Sequence, residues 1–548
     1  MRVALAQVNP TVGDLPGNRR LIEEAASKAA AAGAELVLAP ELCLTGYPPM
    51  DLLEREGFVR DQLRELDALA AASRRIAIAV GAVLPAENGG HKRWRNCAVL
   101  LAGGRRVAER AKSLLPAYDV FDENRYFQAA EARMPAAVSE DGPSLGLTVC
   151  EDTWSAEIPY GVDPVGELMA AGADVVLNLS ASPFHVGKAA QRRRMIAALA
   201  QRHSVPILFC NQVGGNDELV FDGASFAVDA RGRVLAALPH FEPALEVVDL
   251  EAPGLDLEPD AVTDPEPAAQ LEGGLVLGIR DYFRKQGLPP GAVIGISGGI
   301  DSAVTAHLAV EALGPDRVLG VLMPGPFSSE HSVADAEALA RNLGIEHRRV
   351  DIGPVYEAYR GLFAQLFGEK DDYGITQQNI QSRIRGATLM AVSNAEGRLV
   401  LATGNKSELS LGYCTLYGDT VGGVAVLGDV YKRDVYALAR HANRAGERIP
   451  QNALDKPPSA ELAPDQLDTD DLPPYEVLDA VLEQAIEGRL DASRITPPPG
   501  VDTDTVRRIV ERLYRNEYKR RQAPLVLRVS SKAFGSGRRL PIVHRYRS

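Results

Sequence analysis

Ala292-Val293-Ile294-Gly295-Ile296-Ser297-Gly298-Gly299-Ile300-Asp301-Ser302 places an apolar run, a glycine turn and a new polar start within eleven residues. The run Ala292–Ser297 predicts a buried strand, and the residues from Asp301 onward predict a helix. Two glycines let the backbone turn sharply and approach a ligand closely. The hydroxyls of Ser297 and Ser302, with the amides of the helix start, can surround an anion. Asp301 would repel a bare phosphate, so Mg²⁺ between carboxylate and phosphate is the expected companion. A tight turn with Asp301 as a helix N-cap is the alternative. A helix over Gln270–Gly287 precedes the run and a strand over Val318–Pro324 follows, which is the βαβ pattern of a parallel sheet.

The rest of the chain sets limits around that element. At 548 residues, 46% hydrophobic and 24% charged, it has ample material for two or more cores. No signal peptide and no run of 18 apolar residues is found, so no membrane partner is expected. Cys43, Cys97, Cys150, Cys210 and Cys414 are scattered without a C-x-x-C pair, which disfavours a disulfide framework or zinc site and favours a reducing cytoplasm. The net charge of −14 disfavours nucleic acid as a partner. The end departs from that balance, with 13 Lys and Arg against 2 acids from Arg507 to Ser548. Such a block suits a phosphate-bearing ligand, an acidic surface, RNA or plain solvation.

Glu251–Gln270 holds four prolines and six acids with no Lys or Arg, which predicts a stiff, self-repelling linker. Domains over 1–250 and 271–548 are expected on either side. In the first, Arg2–Asn9, Glu35–Leu42, Ile76–Leu84, Ala98–Ala102, Leu145–Cys150, Asp174–Leu179 and Val205–Cys210 predict strands buried on both faces, and Asn18–Gly33 a helix. In the second, Pro457–Glu476 is long and polar, fitting a mobile lid or a plain surface loop.

Three residues of the first domain carry chemistry. Glu41 ends Leu36-Val37-Leu38-Ala39-Pro40-Glu41, Lys112 lies in Ala111-Lys112-Ser113-Leu114-Leu115-Pro116, and Cys150 ends Leu145-Gly146-Leu147-Thr148-Val149-Cys150. Each alone is an ordinary strand-end or surface residue. Together, in this order, they resemble the Glu-Lys-Cys triad of the nitrilase superfamily. That resemblance implies an α/β/β/α sandwich with Cys150 as nucleophile, Glu41 as base, and Lys112 with the Glu151 amide as oxyanion stabilisers. Glu123 matches a second acid of the superfamily, a surface helix carboxylate being the alternative. Tyr118, with Phe121 beside it, and the segment Asn178–Lys188 resemble the glutamine-holding parts of the glutaminase branch, which implies substrate contacts from Tyr118, Ser182 and Lys188.

The loop Gly295, Ile296, Ser297, Gly298, Gly299, Ile300, Asp301, Ser302 resembles the pyrophosphate loop of the N-type ATP pyrophosphatases. It lacks a Walker-type lysine, consistent with attack at the α-phosphate. A nitrilase-type glutaminase ahead of such a domain is similar to the glutamine-dependent NAD⁺ synthetases over essentially the whole chain. Segments around Val321–Pro324, Gln378–Arg385, Thr403–Glu408, Tyr417–Asp419, Val430–Lys432, Lys519–Gln522 and Phe534-Gly535 support it. The resemblance implies a Rossmann-like parallel-sheet second domain of the adenine nucleotide alpha hydrolase type. It implies ATP contacts from the loop and Thr403, deamido-NAD⁺ contacts from Asn379, Glu408 and Lys519, Mg²⁺ on Asp301 and Glu408, and Lys432 against ATP phosphates. It also implies ATP, glutamine and deamido-NAD⁺ as small-molecule partners and a homo-oligomer. Glu461 stands where shorter relatives commonly have Asp. Another amidotransferase, or a silent nucleotide-binding protein that kept the folds, are the alternatives.

Overall fold

Mostly apolar runs predict strands with protein on both faces, and in the first half of the chain such strands form the middle of two sheets. The structure, a computed structural model, describes residues 1–86, 92–130, 134–136, 138, 142–155, 157–251, 254–288 and 291–545. It divides into two compact units, Met1–Pro265 and Glu266–Ser548.

The strands of the first unit are β1 (Arg2–Gln7), β2 (Leu36–Leu38), β3 (Ala77–Pro85), β4 (Trp94–Ala102), β5 (Arg105–Ala111), β6 (Leu145–Val149), β7 (Val175–Ser180), β8 (Ile207–Asn211), β9 (Val213–Asn216), β10 (Leu219–Asp222), β11 (Phe226–Val228), β12 (Val234–Ala237) and β13 (Ala244–Asp249). One sheet runs β13-β1-β2-β3-β4-β5, the other β12-β11-β8-β7-β6, and β9 pairs with β10. Alternation along each strand sorts its side chains. Val3 and Leu5 of β1, with Leu36 and Leu38, share a core with Leu145, Leu147, Leu177 and Leu208 of the other sheet. Ala4 and Ala6 face outward onto the helices Leu15–Ala31 and Glu56–Ala72, through Ile22, Ala26, Leu66 and Leu69. The helix Lys188–His203 covers the second sheet through Met195, Ile196 and Ala200. The unit is therefore an α/β/β/α sandwich.

β2 stops at Leu38, earlier than the apolar run suggests. A proline follows at position 40, and Gly81 of β3 lets the bend lie flat against the sheet. A Cβ at Gly81 would come within 2.1 Å of Leu42 N. Glu41 thus sits on a tight bend at the sheet end. The linker also differs from its sequence reading, because its acids are paired rather than left to repel. Arg193 Nη2 reaches Asp264 at 2.5 Å, Arg194 Nη1 reaches Asp260 at 3.0 Å, and Arg233 meets both Asp256 and Glu258. The helix Pro267–Gln286 takes up its last residues. Ala252 and Pro253 lie outside the described residues.

The second unit holds β14 (Ala292–Gly295), β15 (Val318–Leu322), β16 (Glu346–Arg349), β17 (Leu399–Ala402), β18 (Val424–Ala425) and β19 (Leu525–Val526). Their order is β16-β15-β14-β17-β18-β19, and every pairing is parallel. The chain leaves β14 toward β15 on one side and returns to β17 on the other. The carboxyl end of β14 is therefore a topological switch point, where open α/β sheets leave a crevice. Val293, Leu319 and Val321 pack there against Ile380, Ile384 and Leu389 of the helix Ile375–Glu396. Much of the basic tail is engaged internally. Arg520 and Arg538 converge on Glu517, and Arg512 pairs with Asp471. Tyr546, Arg547 and Ser548 lie outside the described residues. Among the described residues no helix is long and apolar enough to cross a membrane.

Candidate active sites

In the first unit three strand ends deliver the chemistry: the bend after β2 carries Glu41, β5 runs into Lys112, and β6 runs into Cys150. Lys112 Nζ lies 2.7 Å from Glu41 Oε1 and 2.7 Å from Glu123 Oε1, and all three side chains are buried. Neutral donors complete the acids. Asn96 Nδ2 donates to Glu41 Oε1 at 2.7 Å, the Ala181 amide to Glu41 Oε2 at 3.1 Å, and the Tyr47 hydroxyl to Glu123 Oε1 at 2.9 Å. Glu123 is thus a member of the cluster, and the surface alternative for it falls.

Cys150 opens the short 3₁₀ turn Cys150–Thr153 with φ 41°, a left-handed conformation that costs a non-glycine residue about 1–3 kcal/mol. The turn is pinned by Asp152, whose carboxylate accepts from the amides of Ser113, Leu114 and Val149. That anchor fixes Cys150 relative to the residues just after Lys112. Burial, then Glu41, pushes the Cys150 thiol up, and Lys112 opposes them. Burial would strip the proton from Lys112, but Glu123 and Glu41 outweigh it and hold the ammonium well above the usual lysine range. Burial lifts Glu123 to about 6, with Lys112 opposing and Glu41 adding. The nucleophile therefore rests as a thiol beside a base and a permanent cation.

The residues matched to a glutamine site flank the same turn. The Tyr118 hydroxyl donates to Glu151 Oε1 at 2.9 Å, and Tyr118 stands edge-on to Phe121. Lys188 Nζ lies 4.0 Å from the ring centre of Trp154, the residue that follows the turn. Ser182 is buried, with its amide held by Asn211 Oδ1 at 2.8 Å. Sequence reasoning missed Tyr47, Asn96, Asp152 and Tyr160, whose hydroxyl donates to Glu151 Oε1 at 2.6 Å. Only Asp152 carries a local signal, its place two residues after Cys150; the others are joined to the cluster by tertiary folding.

In the second unit the glycine loop leaves β14 at the switch point. Gly298 has φ 81°, and a Cβ there would fall 2.2 Å from Ser332 O. Ser297 N donates to Ser302 Oγ at 3.2 Å, and Gly299 N to Ser297 Oγ at 3.2 Å. Gly299, not Asp301, is the N-cap of the helix Ile300–Leu313. The Asp301 carboxylate instead reaches Lys432 Nζ at 2.5 Å and accepts from Asn405 Nδ2 at 2.8 Å. Asn405 and Glu408 form a reciprocal capping box that opens the helix Lys406–Leu411. Glu408 lies 3.7 Å from Lys432, and burial with Asp301 pushes it up to about 8.

The segment Pro457–Glu476 reaches this cluster. Its Asp468 is buried, held by the hydroxyls of Tyr475 at 2.8 Å and Tyr413 at 3.3 Å, and its charge acts on Glu408 and Lys432. Its Glu461 accepts from Ser329 Oγ at 2.8 Å and Ser332 Oγ at 2.7 Å, at the start of the helix Glu330–Leu343. Thr403 follows β17 directly. Asn379 Oδ1 accepts from Thr415 Oγ1 at 2.9 Å, while Lys519 Nζ donates to the carbonyls of Gly412 and Cys414, both at 2.7 Å. Asn379 and Lys519 therefore meet around 412–415, and Asp301 and Glu408 meet around Lys432. Among the described residues no three His, Cys, Asp or Glu side chains form a ready-made metal cage.

Residues 2–255 match the carbon-nitrogen hydrolase family and residues 273–523 match the NAD synthase family. The glutamine-dependent NAD(+) synthetase of Synechocystis is 45% identical to this chain, covering 99% of the chain and 99% of the relative. The chain belongs to the glutamine-dependent NAD(+) synthetase family. The family member from Thermotoga maritima is 41% identical over 100% of this chain and 99% of its own. A solved member of the family, the enzyme of Acinetobacter baumannii in complex with ADP, is 37% identical and superposes with a TM-score of 0.77, covering 99% of this chain and 98% of that one.

Proposed function

We propose that the chain makes NAD⁺ from deamido-NAD⁺, with ATP as the energy source and the glutamine amide as the nitrogen source, releasing AMP, pyrophosphate and glutamate. The observation that carries this is the presence in one chain of a buried Glu41–Lys112–Glu123 cluster beside Cys150 and a phosphate-type loop beside Lys432.

At the first site Cys150 attacks the glutamine amide carbon while Glu41 takes the thiol proton and passes it to the departing nitrogen. Ammonia leaves and a thioester remains. Lys112, held charged by its two acids, and the Glu151 amide stabilise the negative oxygen of the tetrahedral intermediate. Glu41 next takes a proton from water, the hydroxyl adds to the thioester, and glutamate departs as the thiol reforms. Tyr118, Ser182 and Lys188 hold the amino-acid end.

At the second site Gly295, Ile296, Ser297, Gly298, Gly299, Ile300, Asp301, Ser302 and Thr403 bind ATP. A nicotinate carboxylate oxygen attacks the α-phosphorus and pyrophosphate leaves. Ammonia adds to the acyl adenylate, loses a proton and expels AMP. Asn379, Glu408 and Lys519 line the deamido-NAD⁺ side, and Lys432 meets phosphate charge. Asp301 and Glu408 would hold Mg²⁺, which is usually bound by one or two carboxylates with phosphate oxygens. The donor set fits, since three buried or half-buried carboxylates crowd one ammonium and Glu408 is lifted to about 8. When bound, the ion offsets triphosphate charge. The five unpaired cysteines support a cytoplasmic home, and handing on free ammonia favours a homo-oligomer.

The test is NAD⁺ formation from deamido-NAD⁺ and Mg-ATP with glutamine or ammonium, for wild type and Cys150→Ala. The variant is expected to lose glutamine-driven synthesis by about 10⁴-fold or more and to keep the ammonium-driven reaction. A wild type that makes NAD⁺ from neither donor overturns the assignment.

A further inference from the structure

Alternation along β4 sends Ala98, Leu100 and Ala102 into the core between the two sheets, and Asn96 occupies the same face two residues earlier. Its side chain is fully buried, where a primary amide costs free energy unless its polar atoms are met. Only one end is. Nδ2 donates to Glu41 Oε1 at 2.7 Å, whereas Oδ1 has no hydrogen-bond partner among the described residues. The Asn96 carbonyl accepts from the Lys112 amide at 2.7 Å, but that backbone contact needs no particular side chain. A side chain serving stability alone would be apolar here or bonded at both ends, so the single bond ties Asn96 to Glu41.

The donors on Glu41 are shared unequally. Oε1 accepts from Lys112 Nζ and Asn96 Nδ2, both at 2.7 Å, which fills the two acceptor positions of one carboxylate oxygen. Oε2 accepts from the Ala181 amide at 3.1 Å and keeps its second position open among the described residues. Ala181 directly follows β7, and Asn178 of β7 donates to the Cys150 carbonyl at 3.4 Å. The oxygen with the open position is therefore the one held from the strand beside the nucleophile, and the charge of Glu41 acts on the Cys150 thiol.

We propose that Asn96 is a positioning residue for the base: with Lys112 it fills Oε1, fixes the plane of the Glu41 carboxylate and leaves Oε2 as the oxygen that takes the Cys150 proton. This rests on the assignment of the first site as a glutaminase. Without Asn96 the carboxylate keeps Lys112 but loses the second donor that sets its plane, and its charged form loses a hydrogen bond. Lys112, Glu123, Tyr47 and the Cys150 thiol are the titratable groups around it. The bland alternative is an amide that merely fills space beside the cluster.

The experiment uses the full chain and Asn96→Leu, which removes the donor at nearly constant volume. Ammonia release from glutamine gives kcat and KM across pH, with propionamide as a second substrate. The variant is expected to lower the plateau kcat about 10–100-fold at nearly constant KM, the worth of one hydrogen bond to a charged group. It should also move the acid limb of the kcat/KM profile to higher pH, because a carboxylate with fewer donors is protonated more readily. A cooperative thermal melt reports that the variant is folded. Asn96→Ala removes the same donor without apolar bulk and decides the matter, by the same two signs, should the leucine variant not fold. If a folded variant acts through KM alone, or lowers kcat with the acid limb unmoved, Asn96 only fills space and the proposal falls, while the glutaminase assignment stands. If wild type releases ammonia from propionamide but not from glutamine, the glutaminase assignment falls and the role of Asn96 is read on the simple amide. If it releases ammonia from neither, both fall.

Discussion

Lys112 in the first unit and Lys432 in the second are both buried ammonium groups set between two carboxylates, yet their surroundings differ in balance. Lys112 lies 2.7 Å from Glu41 and from Glu123, and each acid has a neutral donor of its own. Lys432 lies 2.5 Å from Asp301 but 3.7 Å from Glu408, and the buried Asp468 adds a third negative charge nearby. In the first cluster the ammonium meets both acids at hydrogen-bonding distance, although Glu123 Oε2 and Asn96 Oδ1 are buried without a hydrogen-bond partner. Burial lifts both acids first; Asp301 and Asp468 then add to Glu408, which rises to about 8, while Lys112 restrains Glu123 at about 6. An over-acidic cluster gains from an added cation, in keeping with the Mg²⁺ site proposed there.

The largest expected effect comes from removing each lysine. Lys112→Met leaves two buried acids without a partner, so glutamine hydrolysis should fall about 10³-fold or more and stability by about 3–5 kcal/mol. Lys432→Met should lower synthesis from ammonium by about 10²–10³-fold, leave glutamine hydrolysis running, and shift the melting temperature much less. Equal destabilisation by the two variants would break the comparison. A smaller effect distinguishes geometry from charge. Lys112→Arg should be nearly as damaging as Lys112→Met, because the planar guanidinium does not fit between two acids placed for one ammonium. Lys432→Arg should cost synthesis only about 10-fold, since a phosphate accepts either cation. Steady-state rates for both half-reactions decide this.

The smallest effect concerns Glu123. Its folded-state pKa of about 6 lies above the ordinary 4.5, so the folded protein binds the extra proton between those values. Folding stability should therefore rise, by about 2 kcal/mol, as pH falls from 6 toward 4.5. Over the same window glutamine hydrolysis should fall, because Lys112 loses one counter-charge and grips Glu41 more tightly. Glu123→Gln should flatten both trends and cost hydrolysis about 10-fold at pH 7. Urea melts and pH–rate profiles check the two trends separately.

Strands that are mostly apolar and buried on both faces, such as β1, β6, β7 and β8, were legible in the sequence because such burial favours that composition. β5, Arg105-Arg106-Val107-Ala108-Glu109-Arg110-Ala111, was not, since it is a partly exposed sheet edge. β16 is the extreme case. Glu346-His347-Arg348-Arg349 is exposed at every position and pairs as a strand along the parallel edge of β15. The linker acids were legible as acids, but the arginines that pair them come from the helix Lys188–His203 and from Arg233, just before β12.

The same division runs through the sites. Local chemistry was readable wherever one short stretch contains it: the glycines and hydroxyls of 295–302, the Cys150-Glu151-Asp152 turn, and the order of Glu41, Lys112 and Cys150. By itself the sequence determined the backbone freedom of the loop, the side-chain types and the fold class, because these depend on neighbours in the chain. Tertiary structure alone decided that Glu123 joins Lys112, that Asp301 leaves the N-cap role and turns to Lys432, and that Asp468 enters the second cluster. Lys112 and Glu41 are 71 positions apart and Lys432 and Asp301 are 131 apart. Burial and electrostatic partnership are properties of such distant meetings, so charge state is a tertiary fact even where the residue type is a sequence one.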